Sequence, residues 1–260
     1  MKKLRGIFIK NDYEIGLLRE ANAIVSYVLD RIEEKIEPGI TTMDLEELAN
    51  DLCRQFKVIP AFKGYQGFPY TLCCSLNDVI VHGFPDHTKL KDGDILSIDM
   101  GVQFKGFFGD SARTFAVGTV SQDARKVMAT TRSALYKGIE KAVPGNNLYE
   151  ISAAIQAHAE ANECGIIKRF VGHGIGASLH EKPEIPNFVP KKTNRVILKK
   201  GMVIAIEPML SLGSDEVVIM PDRWTAKTKD NSLSAHYEHS VAITSDGPEI
   251  LSVSKQEFGR

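Results

Sequence analysis

No pair of cysteines in this sequence has C-x-x-C spacing. The four present, Cys53, Cys73, Cys74 and Cys164, form no disulfide framework, and the adjacent Cys73 and Cys74 are poorly placed to bond to each other. Reduced thiols are the expectation. An excess of charge of one sign is also lacking: 32 Lys and Arg face 33 Asp and Glu, a formal net charge of −1. No global field then draws the chain to nucleic acid or to an anionic membrane. No apolar run is long enough to span a bilayer. The basic start, Met1 to Arg5, leads into Gly6 to Ile9, too short for a signal-peptide core and cut off by Lys10, Asn11 and Asp12. With thiols unpaired, a cytoplasmic protein without membrane or specific nucleic-acid partners is expected. Low-complexity segments and Pro/Ser-rich linkers are missing too, so residues 1–260 read as a single domain with a short N-terminal extension of about 1–11.

What is there is ordinary globular composition, 43% apolar and 25% charged. Ile15, Leu18, Ala21, Val25, Val28, Leu29 and Ile32 recur on one helical face until Pro38-Gly39 ends the pattern. Thr41 and Thr42 can cap a second helix carrying Leu45, Leu48 and Leu52. Two more helices are expected over Val127 to Ile139 and Leu148 to Ala161. The runs Thr71 to Ser75, Val79 to His82, Ile95 to Val102, Ser111 to Val117, Val203 to Ile206 and Val241 to Ile243 read as strands.

These elements hint at duplication. Pro38-Gly39 leads into a helix, and so does Pro144-Gly145. Lys91-Asp-Gly-Asp-Ile-Leu-Ser-Ile-Asp99 parallels Lys199-Lys-Gly-Met-Val-Ile-Ala-Ile-Glu207, 108 residues later, each copy ending in a carboxylate after an apolar strand. Two αβ halves, about 12–120 and 121–252, would then meet about a pseudo-two-fold axis with Asp99 and Glu207 at equivalent places. Two bare anions brought together there raise each other's pKa unless a cation lies between them.

Asp99 sits among Ile95, Leu96, Ile98 and Met100, where an unpaired buried carboxylate is unfavourable by several kcal/mol. Gly106 and Gly109 allow a hairpin that returns Asp110 toward Asp99. Each could instead cap a turn or pair with Arg113 or a lysine. His173, in Val171-Gly-His-Gly-Ile-Gly, has small neighbours that let the backbone pass close to whatever the imidazole binds; a lone histidine is more often structural. Glu207 and Glu238 also border apolar strands. Four carboxylates and an imidazole form a hard donor set suited to Mn²⁺, Fe²⁺, Co²⁺ or Zn²⁺ and too rich in anions for a single ion.

From about Ile15 to Ser252, the chain resembles the type I methionine aminopeptidases. The resemblance is carried by Ser75-Leu-Asn-Asp-Val-Ile-Val-His-Gly83, Ile98-Asp-Met-Gly101, Gly109-Asp-Ser111, Val171-Gly-His-Gly-Ile-Gly176, His180-Glu, Ile206-Glu-Pro208 and Tyr237-Glu-His239. Each motif is weak alone; in this order and spacing they are specific. The resemblance implies the α/β pita-bread fold, two halves around a central antiparallel sheet. It implies that Asp99, Asp110, His173, Glu207 and Glu238 ligate two divalent ions, Asp110 and Glu238 bridging them. His82 and His180 would lie beside the metals, and Tyr65, Phe68, Cys73 and Trp224 would shape a methionine pocket, with Phe62 and Leu179 standing where relatives often have Cys and an aromatic residue. The implied reaction is removal of the initiator methionine from nascent chains, at the ribosome and by a monomer: metal-activated hydroxide attacks the first peptide bond, with Glu207 shuttling the proton. His87, His158, His236 and His239 match no ligand position and are expected to be structural or exposed.

Overall fold

The computed structural model describes residues 2–4, 6–192 and 194–253, with residues 2–4 described by their backbone only. Helix α1 (Asp12–Glu33) starts at Asn11, whose side chain accepts from the Glu14 amide while Glu14 reaches back to the Asn11 amide. Helix α2 (Thr42–Phe56) has the same reciprocal cap, Thr41 with Asp44. Such caps satisfy amides that a helix start leaves unpaired and contribute about 0.5–2 kcal/mol each. Both helices lay their apolar stripes on a sheet made from β1 (Leu72–Leu76), β3 (Ile95–Phe104) and β4 (Phe107–Ala116), with Ile59–Pro60 pairing at the end of β3, whereas β2 (Val79–Val81), which follows β1, pairs with Ala226–Thr228 in a separate small sheet. β1 and β4 each pair antiparallel with β3.

Strand alternation divides β3. Leu96, Ile98, Met100 and Val102 pack with Leu72 and Cys74 against Val25, Leu29, Leu45 and Ala49 of the helices. Asp99 and Gly101 point the other way, and so does Cys73, which pairs with Asp99. The expected strands are present here, β4 starting four residues earlier than Ser111 because Phe107 to Asp110 continue the hairpin register.

The second half repeats the plan. Helices α3 (Gln122–Ile139) and α4 (Tyr149–Ala161) pack on each other, Ile151 and Ile155 pressing against Gly138, where a methyl group would meet Ile155 at 2.9 Å. They cover a five-stranded sheet of β5 (Gly172–Gly174), β6 (Glu181–Ile185), β7 (Val203–Ile206), β10 (His239–Thr244) and β11 (Gly247–Ile250), in the order β6-β5-β7-β10-β11. The short strands β8 (Met209–Ser211) and β9 (Ser234–His236) pair beside it. All strand pairings among the described residues are antiparallel.

The halves are joined along β4. The Glu238 amide donates to the Ala112 carbonyl at 2.9 Å. Ser111 Oγ donates to the Glu238 carbonyl, Ser240 Oγ to the Asp110 carbonyl, and Thr114 Oγ1 both donates to the His236 carbonyl and accepts from its amide. This seam brings Asp110 and Glu238 face to face. Among the described residues, no helix is long and apolar enough to cross a membrane.

Candidate metal centre

Asp110 pairs with Gly101 and Ala112 with Asp99, so Asp99 and Asp110 are diagonal neighbours on one face of the β3–β4 hairpin. Arg113, the alternative partner considered for them, faces the helices instead and donates to Asp30 Oδ1 of α1 at 2.6 Å. On the second half, Met209 pairs with His236 across β8 and β9. Glu207 precedes Met209 by two residues and Glu238 follows His236 by two, so both carboxylates emerge at the same end of that ladder. Asn187 holds the Glu207 carbonyl at 3.0 Å.

His173 is at the centre of β5. A methyl group on Gly172 would lie 2.3 Å from the Ala205 carbonyl oxygen, and one on Gly174 would lie 2.4 Å from that of Lys182. Glycine on both sides of His173 is therefore required by the strands that clamp it. Nδ1 of His173 lies 2.9 Å from the Gly174 carbonyl and must carry the proton to donate to it, leaving the Nε2 lone pair to face the carboxylates. Nε2 is 3.6 Å from Glu207 Oε1 and 3.8 Å from Asp110 Oδ2. Burial pushes the His173 pKa down to about 3, so the ring is neutral.

All four carboxylates are pushed above their ordinary range, first by burial; at Asp110 and Glu238 the neighbouring carboxylates add to the rise. Asp99 Oδ1, Asp110 Oδ1 and Glu238 Oε1 are buried without a hydrogen-bond partner among the described residues. Orphaned oxygens, crowded anions and an imidazole lone pair aimed at them are mutually repulsive as they stand, and a cation among them would relieve every one of these costs. Donor atoms of Asp110, His173 and Glu238 lie within 4.8 Å of one another, close enough to share one ion. Asp99 and Glu207 line the same cavity, and the donor set fits divalent metal.

That cavity, about 200 Å³, is lined by every residue singled out from the sequence as ligand, catalytic group or pocket wall. Its apolar side is built of Phe62, Tyr65, Phe68, Leu179 and Trp224, with Phe68 and Trp224 edge to face at 5.1 Å. Cys73 completes it, its thiol held protonated by burial and by the nearby Asp99. His82 follows β2 in a left-handed conformation, φ +59°, that aims the ring into the cavity. Burial lowers its pKa to about 4. His180 is exposed at the rim, its ring 4.3 Å from that of His173.

Two residues near the site were not expected there. Gln66 lines the cavity mouth. His236, expected to be structural or exposed, is 1% exposed, and its Nε2 lies 3.6 Å from Glu207 Oε2. The available signal was strand periodicity, which puts residues two apart on one side, as with His236 and Glu238. His239 is structural, its Nδ1 2.8 Å from Ser252 Oγ.

Residues 16–245 match the sequence profile of metallopeptidase family M24. A methionine aminopeptidase of Clostridium perfringens is 48% identical over 249 residues, covering 96% of this chain and 100% of that protein. The crystal structure of methionine aminopeptidase from Rickettsia prowazekii superposes with a TM-score of 0.92 at 37% identity, covering 95% of this chain and 100% of the other. A prolidase from Pyrococcus furiosus shares the fold alone, with a TM-score of 0.72 at 22% identity over 95% of this chain and 66% of its own.

Proposed function

The chain belongs to metallopeptidase family M24, and on that premise we propose that it is a methionine aminopeptidase, removing the N-terminal methionine of new proteins whose second residue is small. The observation that carries this reading is the union of two features in one cavity. A repulsive cluster of four carboxylates and a neutral imidazole needs cations, and beside it an apolar, sulfur-bearing wall suits a thioether side chain. Asp99, Asp110, His173, Glu207 and Glu238 would hold two divalent ions, Co²⁺, Mn²⁺, Fe²⁺ or Zn²⁺. Bound there, such ions would lower the pKa of water to about 7 and polarise a carbonyl.

The chain's own groups do the rest. Phe68, Trp224, Tyr65 and Cys73 take the methionine side chain and exclude water from it. Tyr65 engages Nδ1 of His180, which leaves Nε2 to donate to the oxygen of the scissile carbonyl as charge develops on it. His82 faces the amino end of the substrate. Glu207 accepts a proton from the attacking water and passes it to the leaving amine. Nascent chains at the ribosome, in the cytoplasm, are the substrate source in this reading, and the protein acts as a monomer.

The decisive assay is release of free methionine from Met-Ala-Ser by chelator-stripped protein, before and after addition of Co²⁺ or Mn²⁺, with a proline-containing dipeptide in parallel. Metal-dependent release from the first peptide alone is expected. Folded protein that releases nothing with any divalent ion, or prefers the proline dipeptide, overturns the reading.

A further inference from the structure

We propose that His236 is a positioning residue for Glu207, donating a hydrogen bond from its Nε2–H to the Glu207 carboxylate. The inference rests on the reading of Glu207 as proton carrier and adds the group that orients it. His236 is fixed before it does anything: its amide and carbonyl are both bound by Thr114 Oγ1, at 3.0 and 2.8 Å, and its backbone pairs with Met209. The side chain is 1% exposed, and Nε2 has no hydrogen-bond partner among the described residues. That nitrogen faces Glu207 Oε2 at 3.6 Å, a gap that a small side-chain rotation closes to hydrogen-bond length.

Which end of the ring's polarity points at Glu207 follows from electrostatics. A lone pair there would be repelled by the ionised Glu207 of the metal-loaded site, whose Oε2 faces Nε2, and an N–H is attracted by it. Glu207 is thus bracketed by two imidazoles of opposite polarity. His173, with its proton committed to the Gly174 carbonyl, turns a lone pair to Oε1, and His236 turns a donor to Oε2. The two oxygens are made inequivalent, one held by the protein and the other left on the His173 side. A carboxylate pinned at one oxygen presents the other in a fixed direction, which is what a proton carrier between water and a leaving amine requires.

The first test is read on wild-type protein without turnover. In Zn²⁺-loaded, ¹⁵N-histidine-labelled protein, His236 should be neutral with a slowly exchanging Nε2–H resonance that is absent in His236→Gln and shifted in Glu207→Gln. A His236 ring protonated at Nδ1 alone overturns the proposal. The second is kinetic. His236→Leu should lower kcat on Met-Ala-Ser at least tenfold with KM within twofold, and titration calorimetry should give unchanged metal stoichiometry. His236→Gln, which retains an N–H donor, should stay within threefold of wild type. Wild-type kcat in His236→Leu, or equal losses in both variants, overturns the proposal. Failure of the wild type to release methionine would instead refute the functional reading, and the nitrogen spectrum would still decide the contact.

Discussion

The phenolic oxygen of Tyr65 lies 2.8 Å from Nδ1 of His180, the two rings tilted 36° at 5.2 Å. In the proposed mechanism Tyr65 is thus a wall of the cavity and also the donor to Nδ1 that keeps the His180 proton on Nε2. Tyr65→Phe keeps the wall and frees the imidazole to rotate and change tautomer. A roughly tenfold loss of kcat with little change in KM is expected, against 10²- to 10³-fold for His180→Ala, the scale for losing one donor to a developing oxyanion. Steady-state kinetics on Met-Ala-Ser decide it. Wild-type turnover in Tyr65→Phe would reduce Tyr65 to a wall.

Much of this was legible in local pattern. The α1 stripe from Ile15 to Ile32 and the cap at Thr41 are encoded within a few residues, so the sequence displays them. The return of Asp110 toward Asp99 follows from hairpin closure and period-two alternation. The matched segments ending at Asp99 and Glu207 lie on strands of the two halves, β3 and β7 leading into Glu207. What escaped is non-local. Strands as short as Gly165–Ile166 or Ala226–Thr228 exist only because a partner strand lies beside them. His236 acquires its neighbourhood from Glu207, 29 residues away, and its clamp from Thr114, in the other half.

Lys10 and Glu181 illustrate the same point and carry a prediction. Their side chains are 1% and 2% exposed, and Nζ lies 2.7 Å from Glu181 Oε2, joining the segment before α1 to the loop that presents His180. Glu181 Oε1 also accepts from the Ser178 amide, and the pair is packed so closely that a methyl group on Gly176 would strike both. Lys10→Met leaves a buried carboxylate without its partner, which costs about 3–5 kcal/mol. Urea unfolding should show that loss, and adding Glu181→Gln should recover part of it. A single variant as stable as wild type would mean that water replaces the ammonium.

Metal removal should make stability depend on pH in a defined direction. Burial raises Asp99, to about 7, and Glu207, to about 8, above their unfolded values near 4, with Asp110 and Glu238 raised as well. A carboxyl group raised in this way stabilises the fold fully below its unfolded pKa, and that contribution is lost as pH rises through the folded pKa. His82 and His173, lowered to about 4 and about 3, act oppositely: their contribution is full above 6.5 and is lost as pH falls. Between pH 6.5 and 8.5 the histidines no longer change and the carboxylates dominate. Chelator-stripped protein should therefore lose melting temperature across that interval, and saturating Mn²⁺ should remove the slope. A metal-free protein equally stable at both ends would contradict the crowded-anion account of the site.

Gly83 offers the sharpest separation of fold from function. A methyl group there would lie 2.1 Å from the Cys74 carbonyl oxygen, which is backbone and cannot swing aside, and the Gly83 carbonyl in turn accepts from the Cys74 amide at 2.8 Å. This close approach fixes the chain where His82 takes its left-handed turn. Gly83→Ala must push the segment off β1 and carry His82 with it, so stability and activity should fall together, by about 1–3 kcal/mol and by tenfold or more. His82→Ala leaves the backbone contact intact and removes only the ring, so activity should fall while the melting temperature holds. Paired melting and kinetic measurements on the two variants distinguish these outcomes. A Gly83→Ala protein that melts early yet turns over Met-Ala-Ser at the wild-type rate would show that the position of His82 does not limit the reaction.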